Sequence, residues 1–185
     1  MRGKRLFDLA LLLPALPAFA LLLGMLAFAV LLCDGRPLFF HQLRVGRDHR
    51  RFRIWKLRTM TSEPDARQRR PTRLGRFLRQ RGLDEIPQLW NVLCGDMSLV
   101  GPRPLTPEDA ARLCAQHPPF AARFAVPPGL TGLAQVCGAR GAVLTARLDT
   151  EYVRARNTAW DLVLLMRTLW INVVGKRTGA RGLPR

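Results

Sequence analysis

Acidic side chains are scarce in this sequence: 13 Asp and Glu stand against 30 Lys and Arg, leaving a formal charge of +17. So basic a balance points to an anionic partner, whether nucleic acid, lipid headgroups or phosphorylated substrates, and charge alone does not choose among them. Lysine is scarce as well, at Lys4, Lys56 and Lys176 only, so arginine carries nearly all the positive charge. There is a single Tyr and no recognisable nucleic-acid-binding motif. That argues against a membrane-tethered nucleic-acid binder, and no nucleic-acid partner is expected. The four cysteines, Cys33, Cys94, Cys114 and Cys137, form no C-x-x-C pair and have no His at zinc-site spacing. Neither a metal site nor a disulfide framework is indicated, which leaves buried or interfacial reduced thiols. His41, His49 and His117 lie in unrelated contexts, and no Ser/His/Asp or Cys/His constellation is present. No internal repeat or low-complexity tract occurs. The 185 residues suffice for one compact domain with a membrane segment, and not for two ordinary domains of roughly 100–200 residues each.

The residues that are present are unevenly placed. Between Arg44 and Arg81 there are 14 basic residues against three acids, a net +11, so the partner's negative charge should meet this stretch. Ahead of it, Leu9 to Cys33 is a run of 25 residues without a charge. As a straight helix it would measure about 37 Å at 1.5 Å per residue, enough to cross a hydrocarbon core of about 30 Å. A secretory signal is the first alternative, but its apolar region normally runs about 7–15 residues. Arg2, Lys4 and Arg5 precede the run, and Arg36, Arg44, Arg47, Arg50 and Arg51 follow it, which favours the cytoplasmic side at both ends. Pro14 and Pro17 are candidate kink points. A helix bent there would enter and leave by one leaflet, while an ordinary kinked anchor fits the hydropathy equally well.

Beyond the apolar run, Leu38-Phe39-Phe40, the turn-like Val45-Gly46-Arg47-Asp48 and the partly alternating Arg51-Phe52-Arg53-Ile54 predict a short strand or hairpin. Thr72 caps a predicted helix reaching about Arg81, with Arg73, Arg76 and Arg79 on one face and Gly82 as its stop. A second helix is expected from Asp84 to about Leu93, with Pro87 in its first turn. Gly95 to Pro104 is too rich in Gly and Pro for regular structure, and Pro127 to Gly138 reads as irregular. Helices are expected over 107–117, 145–156 and 159–174. The last mixes Trp160, Leu164, Trp170 and Ile171 with Asp161, Arg167 and Asn172, so it reads either as an interfacial helix or as a buried core helix.

Two features carry chemistry. Asp84 and Glu85 are adjacent carboxylates at a predicted helix start, where an N-cap and a favourable first-turn acid is the plain reading. Read functionally, the helix dipole favours an ionised carboxylate, a nucleophile that needs no separate base. Neighbouring side chains on a helix diverge by about 100°, so both serve one site only off the helix end. One could then attack phosphorus while the other holds Mg²⁺ through a diphosphate. Arg103 sits between Pro102 and Pro104, a stiff mounting suited to bidentate phosphate recognition or to a structural turn.

The successive segments Lys4-Arg5-Leu6-Phe7-Asp8, Trp55 to Met60, Leu83 to Leu93, Gly95 to Pro104, and Pro128-Gly129-Leu130-Thr131-Gly132 followed by Ala134-Gln135-Val136 closely resemble, in order, the motifs of the bacterial sugar transferases, the monotopic phosphoglycosyl transferases. The resemblance spans roughly residues 4–177. It implies a mostly helical α+β fold, with a re-entrant membrane helix over 1–36 and a small cytosolic catalytic domain with interfacial helices over 37–185. It implies an undecaprenyl-phosphate sugar phosphotransferase, moving sugar 1-phosphate from a UDP-sugar to undecaprenyl phosphate with release of UMP. Such a step would begin exopolysaccharide, capsule, O-antigen or glycoprotein glycan assembly at the cytoplasmic face of a bacterial inner membrane, among its lipids, and a homodimer stays open. By the same resemblance Asp84 is the nucleophile that becomes phosphoglycosylated, Glu85 the Mg²⁺ ligand and Arg103 the nucleotide-diphosphate ligand. Arg79, Lys56 and Arg58 are further substrate-binding positions. A non-catalytic scaffold on the same fold would be marked by loss of the dyad or of Arg103, and all three residues are present. Larger family members add an upstream membrane region, which this chain is expected to lack. Two departures stand out. The family's membrane helix breaks at a Ser-Pro pair deeper in the apolar run, and its Gly-Trp-Ala-Gln-Val-Asn-Gly is here Gly132-Leu133-Ala134-Gln135-Val136-Cys137-Gly138, a change bearing on sugar selection or packing.

Overall fold

In a computed structural model of the chain, which describes residues 2–63, 65 and 67–174, the apolar run forms one helix, α1 (Arg2–Asp34). The helix continues across Pro14 and Pro17, the expected break points. Each proline withholds a single N–H, and the neighbouring bonds carry the helix through. One face of α1 is seated along its length. Leu12 joins a core with Ile54, Val92 and Leu164, and Val30 joins a second with Leu57 and Leu78. The remaining faces expose Leu6, Leu13, Leu21, Met25, Phe28 and Leu32. Only 6% of the most apolar window of α1 is buried, unlike the core helix of a water-soluble domain.

Both ends of α1 are tied to the rest of the chain. At the start, the Arg5 guanidinium donates to the carbonyls of Val92 and Leu93. Lys4 Nζ lies 2.8 Å from Asp161 and 3.2 Å from Asp8. At the far end, the Thr72 hydroxyl donates to Asp34 at 2.8 Å.

The expected hairpin forms as β1 (Phe39–Val45) and β2 (Arg51–Leu57), antiparallel with Gln42 opposite Ile54. Period-two alternation puts Phe52 and Ile54 inward and Lys56 on the same face, so the stem of Lys56 is covered while its ammonium reaches the strand end. Helix α2 (Arg73–Arg81) is capped as its sequence predicts, Thr72 Oγ1 accepting from the Gly75 amide at 2.8 Å, and Gly82 stops it at φ 69°.

The single helix expected over 84–93 is a correction. A 3₁₀ segment, Leu83–Gln88, comes first, and α3 (Leu89–Cys94) follows. Gly82 turns the chain sharply in the left-handed region, and Pro87 has no N–H to offer the carbonyl of Leu83, so an α-ladder cannot start there. The loops read as irregular also contain structure. β3 (Ser98–Val100) pairs in parallel with β4 (Gly129–Thr131), and α5 (Leu133–Val136) follows. The glycines that suggest disorder are points of close approach. A Cβ on Gly129 would lie 2.0 Å from the Gly101 nitrogen.

Helices α4 (Pro107–Gln116), α6 (Ala142–Ala155) and α7 (Thr158–Val174) complete the mostly helical architecture, with a further 3₁₀ segment at Pro118–Ala125. Helix α7 is inverted relative to a soluble helix. Its buried residues are Asp161 and Leu164, while Leu162, Met166, Leu169, Trp170 and Val173 are exposed. This sets aside the core-helix alternative. The Tyr152 hydroxyl of α6, 2.8 Å from Asp161, and the Thr131–Thr168 hydroxyl pair at 2.5 Å satisfy the inward polar groups. Cys33, Cys94 and Cys137 are exposed, and Cys114 is half-buried. Positions 175–185, with Lys176 and the chain end expected on the cytoplasmic side, lie outside the described residues.

Candidate active site

A cleft of about 710 Å³ opens where β2, the 3₁₀ segment Leu83–Gln88 and the loop after β3 meet. Arg44, Lys56, Arg58, Arg69, Arg79 and Arg103 line it with two carboxylates, Asp84 and Glu85. All six residues singled out from the sequence are therefore gathered in one place, and the excess of cations suits a diphosphate. Asp84 is 7% exposed and lies in the first turn of the 3₁₀ segment. It is not an N-cap, since Gly82 holds that position. Glu85 Oε1 accepts from Lys56 Nζ at 2.6 Å and from Arg103 at 3.1 Å. One carboxylate thus aims two cations from chain segments far apart in sequence.

The backbone under Arg103 is pinned more firmly than its flanking prolines alone require. Four successive carbonyls accept hydrogen bonds: Pro102 from the Gly129 amide at 3.0 Å, Arg103 from the Arg123 guanidinium, Pro104 from Arg44 at 3.1 Å and Leu105 from the Val45 amide at 2.8 Å. The side chain itself is half exposed, a guanidinium held at its root and open at its tip. Burial, and then the Arg103 charge, lower the pKa of Arg44. Arg79 Nε donates to Thr59 Oγ1 at 2.7 Å, holding it against β2's continuation. Arg58 is largely committed elsewhere: its guanidinium caps the C-terminal carbonyls of α1 at Asp34 and Gly35 and reaches Ser62. It joins α1 to the cleft wall.

Arg44, Arg69 and Arg123 were not among the predicted site residues. The first two lie inside the basic stretch. Arg123, 4% exposed, comes from a segment with no sequence signal and pairs with Asp149 of α6 at 3.3 Å. Burial raises the Asp149 carboxyl to about 6 despite the opposing effect of Arg123. A raised folded-state value means that Asp149's contribution to stability is complete below about pH 4 and is lost as pH rises through about 6. The loss is on the order of 2–3 kcal/mol across that window. Thermal unfolding of Asp149→Asn between pH 4 and 7.5 should show a flatter pH dependence than the parent protein; equal slopes would contradict this.

Among the described residues no three His, Cys, Asp or Glu side chains gather into a metal cluster. The donors at hand are the adjacent carboxylates Asp84 and Glu85 on the cleft wall. They fit Mg²⁺, a hard ion commonly bound by one or two carboxylates together with substrate phosphates. Of the departures noted in the sequence, Leu133 packs against the main core and Cys137 is exposed. Neither lines the cleft.

The chain is similar to a UDP-glucose:undecaprenyl-phosphate glucose-1-phosphate transferase of Caulobacter vibrioides, 44% identical over 183 residues that cover 90% of this chain and 68% of the relative. It is similar to an undecaprenyl-phosphate glucose phosphotransferase of Komagataeibacter xylinus, 39% identical over 91% of this chain and 35% of the relative. A sugar transferase of Bacillus subtilis is 38% identical over 90% of this chain and 85% of its own length. The chain therefore spans only about a third of the Komagataeibacter protein. The sequence profile of one family, the bacterial sugar transferases, matches residues 1–175. With that match running from α1 through the cleft to α7, the chain belongs to the bacterial sugar transferase family.

Proposed function

We propose that this protein transfers a sugar 1-phosphate from a UDP-sugar to undecaprenyl phosphate, releasing UMP. The observation that carries the reading is the cleft, where Glu85 holds Lys56 and Arg103 together beside the buried Asp84. The named activities of the relatives supply the substrates. Arg103 and Arg79 bind the diphosphate oxygens, and Lys56 balances the charge of Glu85. Asp84 attacks the phosphorus that bears the sugar. The bond from that phosphorus to the UMP oxygen breaks, and UMP leaves with the electron pair. An oxygen of the lipid phosphate then attacks the same phosphorus. The Asp84 oxygen–phosphorus bond breaks, returning the carboxylate and giving the lipid diphosphosugar. Bound at Glu85, Mg²⁺ would offset the repulsion between the carboxylates and the diphosphate and ease departure of UMP. UMP release over a panel of UDP-sugars with undecaprenyl phosphate tests the reading. Lipid-dependent turnover is expected with at least one sugar, and none with any sugar contradicts it.

The chain works, on this reading, at the cytoplasmic face of a bacterial inner membrane, with α1 entering and leaving one leaflet and α7 in the interface. The support is that Lys4 and Arg5 at one end of α1 and Asp34 at the other bind the same body. A helix crossing the bilayer would separate its ends by about 30 Å of hydrocarbon. Arg2→Cys and Arg47→Cys, each in a background without native cysteines, should both label from the cytoplasmic side only. Periplasmic labelling of position 2 alone would make α1 a true span.

A further inference from the structure

A second hollow, of about 250 Å³, adjoins the cleft, and the two share Glu85 and Arg103. Its walls differ in kind. Phe19 of α1, Leu89 of α3, Leu99 of β3, Leu130 of β4, and Leu165 and Leu169 of α7 make it largely apolar. It is smaller than the roughly 300–1,000 Å³ of ordinary ligand pockets. Leu169 lines the hollow and is also 59% exposed. It stands in one stripe with the exposed Leu162, Met166 and Val173 on the outer face of α7. The hollow is thus continuous with the apolar surface read above as membrane-facing. Asn172, from the same helix, lies against Gly82, two residues before Asp84. Its buried amide oxygen has no hydrogen-bond partner among the described residues.

We infer that this hollow seats the first isoprene units of the acceptor lipid, with the lipid phosphate at its inner end beside Arg103. The assignment rests on the transfer reaction proposed above. An isoprenoid phosphate needs an apolar wall leading in from hydrocarbon and a cation where that wall ends, and the hollow supplies both. Phe19, Leu130 and Leu165 offer a sugar or nucleoside no hydrogen-bond partners along most of that wall. Donor and acceptor then have separate seats that meet at one ion cluster. Arg103, common to both, serves the diphosphate in the first half of the reaction and the lipid phosphate in the second.

The two half-reactions separate the seats. Exchange of labelled UMP into the UDP-sugar that supports turnover, without lipid, reads the donor half alone. Transfer at varied undecaprenyl phosphate reads the acceptor half. Leu169→Gln and Leu165→Gln should raise KM for undecaprenyl phosphate at least ten-fold while exchange falls less than two-fold. Exchange also reports that each variant is folded. Met166→Gln, on the same exposed stripe but outside the hollow, should alter neither and controls for membrane seating. An unchanged lipid KM in both hollow variants overturns the assignment, as does an equal fall in exchange and transfer, which would give the hollow to the donor sugar. Absence of exchange in the unmodified protein overturns instead the covalent reading on which the assignment rests.

Discussion

Asp84→Asn is expected to lower UMP release at least roughly a thousand-fold, the scale at which loss of a covalent nucleophile is ordinarily felt. The amide nearly matches the carboxylate in shape, so the 3₁₀ turn and the cleft survive the exchange, but it offers no anionic oxygen to phosphorus. Asp84 is 7% exposed. Glu85, the adjacent carboxylate, is already engaged by Lys56 and Arg103. Wild-type melting together with lost turnover would assign the effect to chemistry. Retention of a tenth or more of the activity would remove Asp84 from the role of nucleophile.

Arg103→Lys should lower kcat/KM for the UDP-sugar roughly 100-fold, equivalent to about 3 kcal/mol, because lysine keeps the charge and loses the planar fork that grips two phosphate oxygens. The backbone beneath should not move. The carbonyls of residues 102–105 are held by Gly129, Arg123, Arg44 and Val45, not by the Arg103 side chain. Stability should therefore stay unchanged while activity falls. If stability falls and kinetics hold, Arg103 is a structural turn residue.

Elements with a local start and stop were legible in the sequence. Thr72 and Gly82 bracket α2, and the helix expected from position 107 opens at Pro107 as α4. The parallel pair β3–β4 was not, because three-residue strands carry too little alternation and their glycines mark close approach, which looks the same as a flexible loop. The 3₁₀ start before α3 was hidden because proline in a first helical turn is usually harmless. Here the left-handed Gly82 shifts where that turn begins.

The site was legible mainly through motif resemblance. Nothing in spacing alone brings Lys56 and Arg103 onto one carboxylate, since that contact is made by the hairpin and the β3 loop converging on the Leu83–Gln88 turn. The Arg123–Asp149 pair was invisible for a different reason. Charged residues are presumed to be solvated, and only the folded chain reveals one buried behind the Arg103 carbonyl. Helix α7 likewise hides its logic until its partners are known, with Asp161 facing Lys4 and Tyr152 inside and Leu162, Met166, Leu169 and Trp170 outside.

The most direct test is mass spectrometry of the protein after incubation, without lipid acceptor, with the UDP-sugar that supports its turnover. The account predicts a sugar-phosphate adduct on the peptide containing Asp84, absent in Asp84→Asn and discharged when undecaprenyl phosphate is added. A protein that turns over with lipid, shows no adduct and gives initial rates of a ternary-complex pattern would contradict it and make the transfer direct.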